Sequence, residues 1–480
     1  MNARARVGLV AGPALCAALL SLPAPEGMEL LAWRTAAVGA LMATWWITEA
    51  IPIAATALLP IVLFPPLGVA TLAATTAPYA NPVIYLFLGG FLIALAVERC
   101  GLHRRLAMTV LGVVGARPGN VIFGFMGATA VISMWVSNTA TVVMMLPMAT
   151  SVITIVRAGD DAADDPRRRA FEVALLLGIA YAGNIGGLGT LIGTPPNALL
   201  AGFLSETYGL RIGFVEWMFL GVPIVVLSLP VAWLMLTRWH HPVGSDPIAG
   251  GAAMLREERS SLGPISRDEW TVGAITALTA AGWVSRPILE RWIPAVSDAG
   301  IAMAGAMMLF LVPLSWRPLR VALSWAQAER LPWSVLILFG GGLSLAAAIQ
   351  QTGLAGWIGN ELGALAGWPV FVVILVVTAV VIVLTELTSN TATTAAFLPV
   401  VASLAVGIGA NPLLLAVPTA LAASCAFMLP VATPPNAIVY GTGALTVPQM
   451  ARAGLWLNLF FIALLPLVVY LTVGRIFSTP

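Results

Sequence analysis

Apolar runs dominate the chain, and their lengths suit a bilayer rather than a soluble core. Runs long enough to cross ~30 Å of hydrocarbon begin near residues 7, 29, 82, 172, 213, 270, 298, 333, 412 and 454, and a shorter one covers 52–66. Two further stretches, 119–156 and 369–406, are uncharged apart from Glu386. Each is interrupted midway, at Ser137-Asn138-Thr139 and at Ser389-Asn390-Thr391. Each is long enough for two spanning helices, and equally for a re-entrant hairpin that returns to the side it entered. Hydropathy alone does not choose between them. The pattern predicts an all-α integral membrane protein.

Composition narrows the function classes. Of 480 residues, 59% are hydrophobic and 9% charged, against about 25% charged in an ordinary soluble domain. That excludes a cytosolic enzyme, a secreted disulfide scaffold, a disordered chain and a nucleic-acid binder. Cys16, Cys100 and Cys425 are scattered, and His103, His240 and His241 lie in basic segments, so zinc and haem sites are not expected. Residues 1–24 have the Arg-then-apolar pattern of a signal peptide. With so many spans following, they read as a first transmembrane helix. With eleven spans, two re-entrant hairpins and the N-terminus in the cytoplasm, only Arg34, Arg211, Arg286, Arg291 and Arg475 fall outside. The positive-inside rule therefore orients a multi-pass protein in the inner (plasma) membrane with a cytoplasmic N-terminus.

The chain also repeats itself. Gly89, Gly90 and Gly101-Leu102 match Gly341, Gly342 and Gly353-Leu354 at an offset of 252, which also carries Ser137-Asn-Thr-Ala-Thr onto Ser389-Asn-Thr-Ala-Thr and Pro147 onto Pro399. Thr194-Pro-Pro-Asn-Ala matches Thr433-Pro-Pro-Asn-Ala at 239, and the charged segment Arg157–Arg169 is the natural insertion in the first copy. An odd number of spans between equivalent points gives two inverted repeats, and such repeats place a transporter's site at their interface near the midplane.

Both repeated motifs carry chemistry. Ser-Asn-Thr in the middle of an apolar stretch must find partners inside protein or at a water-lined cavity. Its hydroxyls, amide and freed backbone groups suit carboxylate or sulfate oxygens through N–H groups, and Na⁺ through oxygens. One such interruption reads as glue between helices; two at equivalent positions read as a site. Thr-Pro-Pro-Asn removes amide donors and breaks the helix, pushing Thr194 and Thr433 toward extended backbone. No charged side chain occurs over Gly119–Val156, Val173–Ser205 or Leu387–Ala451. An anion held there meets hydroxyls, amides, helix dipoles and bound cations. Glu386 either pins its hairpin or touches ligand, and Glu49 stands at a helix end before Pro52 or at the site. Trp33, Trp45, Trp46, Trp217, Trp239 and Trp270 fit interfacial belts.

Together the paired Ser-Asn-Thr and Thr-Pro-Pro-Asn motifs, Trp45-Trp46-Ile-Thr-Glu-Ala and the run Ser424–Val439 resemble the divalent-anion:sodium symporter family, whose INDY-type members carry dicarboxylates. The resemblance covers essentially the whole chain. It implies about 11 transmembrane helices plus two re-entrant hairpins, in a homodimer of protomers with scaffold and transport domains, moving as an elevator. The scaffold would comprise 1–118 and 213–368, the latter with a cytoplasmic loop near 238–269. The transport domain would comprise 119–212 and 369–453, with a C-terminal helix at 454–480. Sodium would bind around Ser133, Ser137, Asn138 and Gly193, and around Thr385, Thr388, Asn390 and Ala432. Substrate carboxylates would meet Ser137, Asn138, Thr139, Thr194, Pro195, Ser389, Asn390, Thr391, Thr433 and Pro434. The expected activity is Na⁺-coupled transport of a C4-type, succinate-like dicarboxylate. Na⁺ is the coupling ion, no cofactor takes part and the chain is not an enzyme. A sodium-independent dicarboxylate exchanger and a sodium/sulfate symporter are the alternatives within the fold.

Overall fold

The first helices already show where apolar pattern and backbone part company. The computed structural model describes residues 3–112, 115, 117–158, 166–244, 260–317, 319–361 and 367–477. Helix α1 (Ala3–Ser21) packs on α2 (Leu30–Thr48), with Trp45 Nε1 donating to the Gly8 carbonyl at 3.0 Å. The apolar run 52–66 does not make a spanning helix. It splits into α3 (Ile53–Thr56) and α4 (Leu59–Leu63), because Pro52, Pro60, Pro65 and Pro66 deny it continuous amide donors. A short α5 (Leu72–Thr76) leads to α6 (Pro82–Cys100), capped by Asn81, whose side chain accepts from Val83 N at 3.0 Å. Gly101, at φ 79°, ends it and starts α7 (Leu102–Leu111).

Next come α8 (Pro118–Ser133) and α9 (Asn138–Ala158), two arms joined at the first Ser-Asn-Thr. Residues 159–165, the middle of the first copy's insertion Arg157–Arg169, lie outside the described residues. Helix α10 (Pro166–Gly187) is buried along almost all of its apolar length, as a helix apolar on every face must be. It stops, and α11 (Pro195–Tyr208) begins after seven unwound residues, 188–194. Helix α12 (Phe214–Leu234) follows, then α13 (Arg267–Leu289) and α14 (Asp298–Leu311). At 14 residues, α14 is about 21 Å long, shorter than the run beginning at 298 suggested. A two-stranded antiparallel sheet follows it, β1 (Pro313–Trp316) with β2 (Leu319–Val321), the only strands among the described residues.

After α15 (Trp325–Ala328) the series recurs as α16 (Trp333–Gln351), α17 (Leu354–Glu361), α18 (Val370–Thr385), α19 (Asn390–Gly407), α20 (Leu413–Ala423), α21 (Pro434–Tyr440) and α22 (Val447–Ile476). Helix α18 begins and ends 252 positions after α8, and α19 begins 252 after α9. Phe87 of α6 and Phe339 of α16, equivalent at that offset, meet edge to face at 5.2 Å. The run from 412 stops at Ala423, where the second unwound segment starts, and the C-terminal helix begins at Val447 rather than near 454. Among the described residues, nine helical stretches are long and apolar enough to cross a membrane.

The unwound segments are held from outside by glycines. A Cβ on Gly221 of α12 would lie 2.4 Å from the Leu188 carbonyl oxygen, and one on Gly454 of α22 would lie 2.3 Å from that of Phe427. Leu188 and Phe427 are equivalent at the offset of 239. Each half therefore presses a bare helix backbone onto the same point of its loop.

Candidate functional site

The first hairpin tip is built from one hydroxyl, one amide and two carbonyls. Ser133 ends α8, fully buried, and its Oγ donates to the Gly183 carbonyl of α10 at 2.8 Å. A hydroxyl has one proton, so the Asn138 atom 2.7 Å from the same Oγ is the amide nitrogen. In that orientation the nitrogen also lies 3.2 Å from the carbonyl oxygens of Gly183 and Gly193. Ser137 is exposed and its Oγ accepts from Ala140 N at 3.3 Å, and Thr139 is exposed beside it. Gly193 is buried and its backbone crosses that of Gly187; a Cβ there would sit 2.5 Å from the Gly187 oxygen.

At the second tip the parts recur. Buried Thr385 ends α18, and its Oγ1 lies 2.9 Å from Asn390 Oδ1 and 2.7 Å from the Ala423 carbonyl of α20. Thr388 Oγ1 bonds the Leu384 carbonyl at 2.8 Å and Thr393 Oγ1 at 2.5 Å. Ser389, Asn390 and Thr391 are half-buried, with Ser389 as the extended N-cap of α19, and Ala432 is buried.

The two unwound segments then join the halves. Thr194 (φ −145°, ψ 143°) and Thr433 (φ −141°, ψ 151°) are extended, as residues before proline are. Pro195 and Pro434 open their half-helices, where a missing N–H costs nothing. Thr433 Oγ1 accepts from Asn184 Nδ2 of α10 at 3.1 Å, and Thr194 Oγ1 meets Ser424 Oγ at 3.4 Å. Each break is thus tied to the opposite repeat. Pro434 is exposed and Pro195 half-buried, so the buried threonines sit directly beneath accessible surface.

A family model described as the sodium:sulfate symporter transmembrane region matches residues 4–478. The chain belongs to the sodium:sulfate symporter family. It is a membrane transporter rather than an enzyme. This member of the family is 42% identical over 471 residues to the sodium-dependent dicarboxylate transporter SdcS of Staphylococcus aureus strain USA300, covering 97% of the chain and 90% of SdcS. It is 43% identical over 474 residues to SdcS of Staphylococcus saprophyticus, covering 97% and 91%. Among solved structures it resembles the Alcanivorax borkumensis YdaH transporter at a TM-score of 0.56 and 14% identity, over 98% of the chain and 97% of YdaH. Neisseria gonorrhoeae MtrF gives 0.55 and 11%, over 98% and 95%. At such identity the likeness shows the fold alone.

Several groups around the two tips have no counterpart in the motifs. Glu386, three residues before Ser389, pins backbone: Oε1 accepts from Phe427 N at 2.7 Å and Met428 N at 3.0 Å, and Oε2 from Met428 N and Leu429 N, both at 3.1 Å. Asn458 Nδ2 of α22 adds a fifth bond at 2.7 Å. Such an all-donor shell suits an acceptor-only carboxylate. The first-half equivalent is Met134, whose backbone carbonyl accepts from Thr190 Oγ1 at 2.5 Å instead. Glu49 is exposed at the left-handed C-cap of α2, φ 50°, so it serves a helix end. Asn184, Ser424 and Asn458 carried one signal in the sequence, a polar side chain inside an apolar run. Arg4 also reaches the second tip. Its Nη1 donates to the Leu387 carbonyl at 2.7 Å and its Nη2 to that of Ile47.

Proposed function

We propose that this transporter is a sodium-coupled symporter of C4-type dicarboxylates such as succinate. The observation that carries the reading is the pair of matched clusters, Ser133–Asn138–Gly183 and Thr385–Asn390–Ala423, each beside a break tied to the other half. Oxygen-rich and free of net charge, each cluster suits a hard monovalent cation. Once the Asn138 amide turns its oxygen inward, Ser133, Ser137, Asn138 and Gly193 supply oxygens for one Na⁺, and Thr385, Thr388, Asn390 and Ala432 for the other. The substrate carboxylates meet Ser137, Asn138, Thr139, Thr194 and Pro195 from the first half, and Ser389, Asn390, Thr391, Thr433 and Pro434 from the second. Bound Na⁺ offsets the dianion's charge where no Arg or Lys belongs to the tips, so each ligand lowers the cost of binding the other. The names of the SdcS relatives support both sodium and dicarboxylate.

In this reading the two repeats are inverted, the hairpins are re-entrant and the N-terminus is cytoplasmic. Residues 119–212 and 369–453 form a transport domain that moves as an elevator against the scaffold of 1–118 and 213–368, in a homodimer in the plasma membrane. Labelled succinate uptake into empty proteoliposomes tests it, with an inward Na⁺ gradient set against an equal K⁺ gradient. Uptake with Na⁺ alone is expected. Uptake that needs internal dicarboxylate and ignores Na⁺ makes the protein an exchanger. Silence toward succinate with Na⁺-driven sulfate uptake makes it a sulfate symporter.

A further inference from the structure

Asn197 and Asn436 close the two Thr-Pro-Pro-Asn motifs, and the reading above gives them no role. Each is the third residue of its half-helix and is fully buried. Asn197 Nδ2 donates to the Gly187 carbonyl at 3.1 Å and the Thr190 carbonyl at 2.8 Å. Asn436 Nδ2 donates to the Ala426 carbonyl at 3.2 Å and the Leu429 carbonyl at 3.0 Å. The offset of 239 carries every member of the first set onto the second. Backbone bonds complete the same pattern: Gly193 N to Thr190 O at 3.4 Å, and Ala432 N to Leu429 O at 3.2 Å.

One NH₂ group therefore staples the start and middle of each unwound segment to the helix that leaves it. Serine or threonine offers one donor and aspartate none, so of the short side chains only asparagine holds two carbonyls at once. Among the described residues, Oδ1 of both asparagines is buried without a hydrogen-bond partner. Both halves keep that unpaired oxygen, which is costly in an apolar interior. What the staple fixes is the far end of the segment, where the Gly193 carbonyl lies 3.2 Å from the Asn138 amide. Gly187, held at the near end, lies against that same amide and against Gly193.

We propose that Asn197 and Asn436 are positioning residues for the two cation sites, each setting the carbonyl array of one site without touching its ion. The proposal rests on the sodium-coupled reading. The test is the Na⁺ dependence of succinate uptake by Asn197→Ala and Asn436→Ala in proteoliposomes, beside the unaltered protein. Each variant should raise the Na⁺ concentration for half-maximal uptake about five-fold or more, the scale of losing two hydrogen bonds. The succinate concentration for half-maximal uptake, measured in saturating Na⁺, should stay within about two-fold. An unchanged Na⁺ curve overturns the proposal, and so does an equal rise in both constants, which marks general loss of structure. Where an alanine variant does not yield monodisperse protein, Asn197→Ser or Asn436→Ser, retaining one donor, should give an intermediate shift in Na⁺ alone; no shift is again negative. Uptake by the unaltered protein that ignores Na⁺ would instead be a failure of the underlying reading.

Discussion

Position 193 and its equivalent 432 differ by one methyl group, and that methyl separates the two sites. A Cβ on Gly193 would sit 2.5 Å from the Gly187 oxygen, closer than any unstrained contact. Position 432 carries alanine natively, and the equivalent of Gly187 is Ala426 rather than a glycine. Gly193→Ala is therefore expected to cost about 1–3 kcal/mol as overpacking and to weaken Na⁺ dependence. Ala432→Gly should cost about 1 kcal/mol or less, through chain entropy. Thermal unfolding of the purified protein, paired with uptake at varied Na⁺, checks this; equal effects would contradict it. The hairpin asparagines give a second expectation. Asn138→Ala and Asn390→Ala should each abolish uptake while leaving monodisperse, folded protein, because each removes an amide from a cluster at an accessible tip. If both variants unfold and the surviving fraction still binds substrate, the motifs are structural glue.

Between elements the asymmetry widens. The first unwound segment is tight enough to hold itself, glycine on glycine, with Thr190 bonded to the Met134 carbonyl. The second is held by a carboxylate, Glu386, across three consecutive amides and Asn458. Glu386→Gln turns an NH₂ toward donors it cannot serve. Losing charge-assisted bonds of about 1.5–3 kcal/mol should lower the melting temperature and weaken Na⁺ dependence; an unchanged melting temperature would show the carboxylate to be dispensable. These elements were unequally legible in the sequence. Both helix breaks fall where the double prolines put them, and Ser133 and Thr385, which stand at matching repeat positions, each lie against the asparagine of their own tip. The run 52–66 misled because hydropathy is blind to the amides that its prolines lack. Asn184 is a polar residue in an apolar run, yet its partner Thr433 lies 249 positions away, and spacing along one chain says nothing about such a meeting.

For the whole molecule, Phe87 meets the residue 252 positions on, Phe339, so the two matching segments touch at equivalent points. An elevator requires the hairpin tips to leave the neighbours they have in any one state. Arg4 offers a place to watch this, because it bonds the end of α2 through the Ile47 carbonyl and the second tip through that of Leu387. The proposed domain division puts the two carbonyls on opposite sides of the moving boundary, so if the elevator reading holds both bonds cannot persist through a transport cycle. A variant with Cys16, Cys100 and Cys425 replaced by serine, and cysteines at positions 4 and 387, should be bridged by a reducible bifunctional thiol reagent as long as the arginine side chain it replaces, since a direct disulfide needs closer backbones. The crosslinked protein should lose succinate uptake, which reduction should restore. Efficient crosslinking with full uptake would mean that α1 and the tip travel together, and would place the first helix in the moving part. Arg4→Gln should speed or slow uptake without altering the Na⁺ or succinate concentration for half-saturation, since it removes a bond particular to one state and no ligand contact. Shifts in half-saturation alone, at an unchanged maximal rate, would instead make Arg4 part of the binding surface.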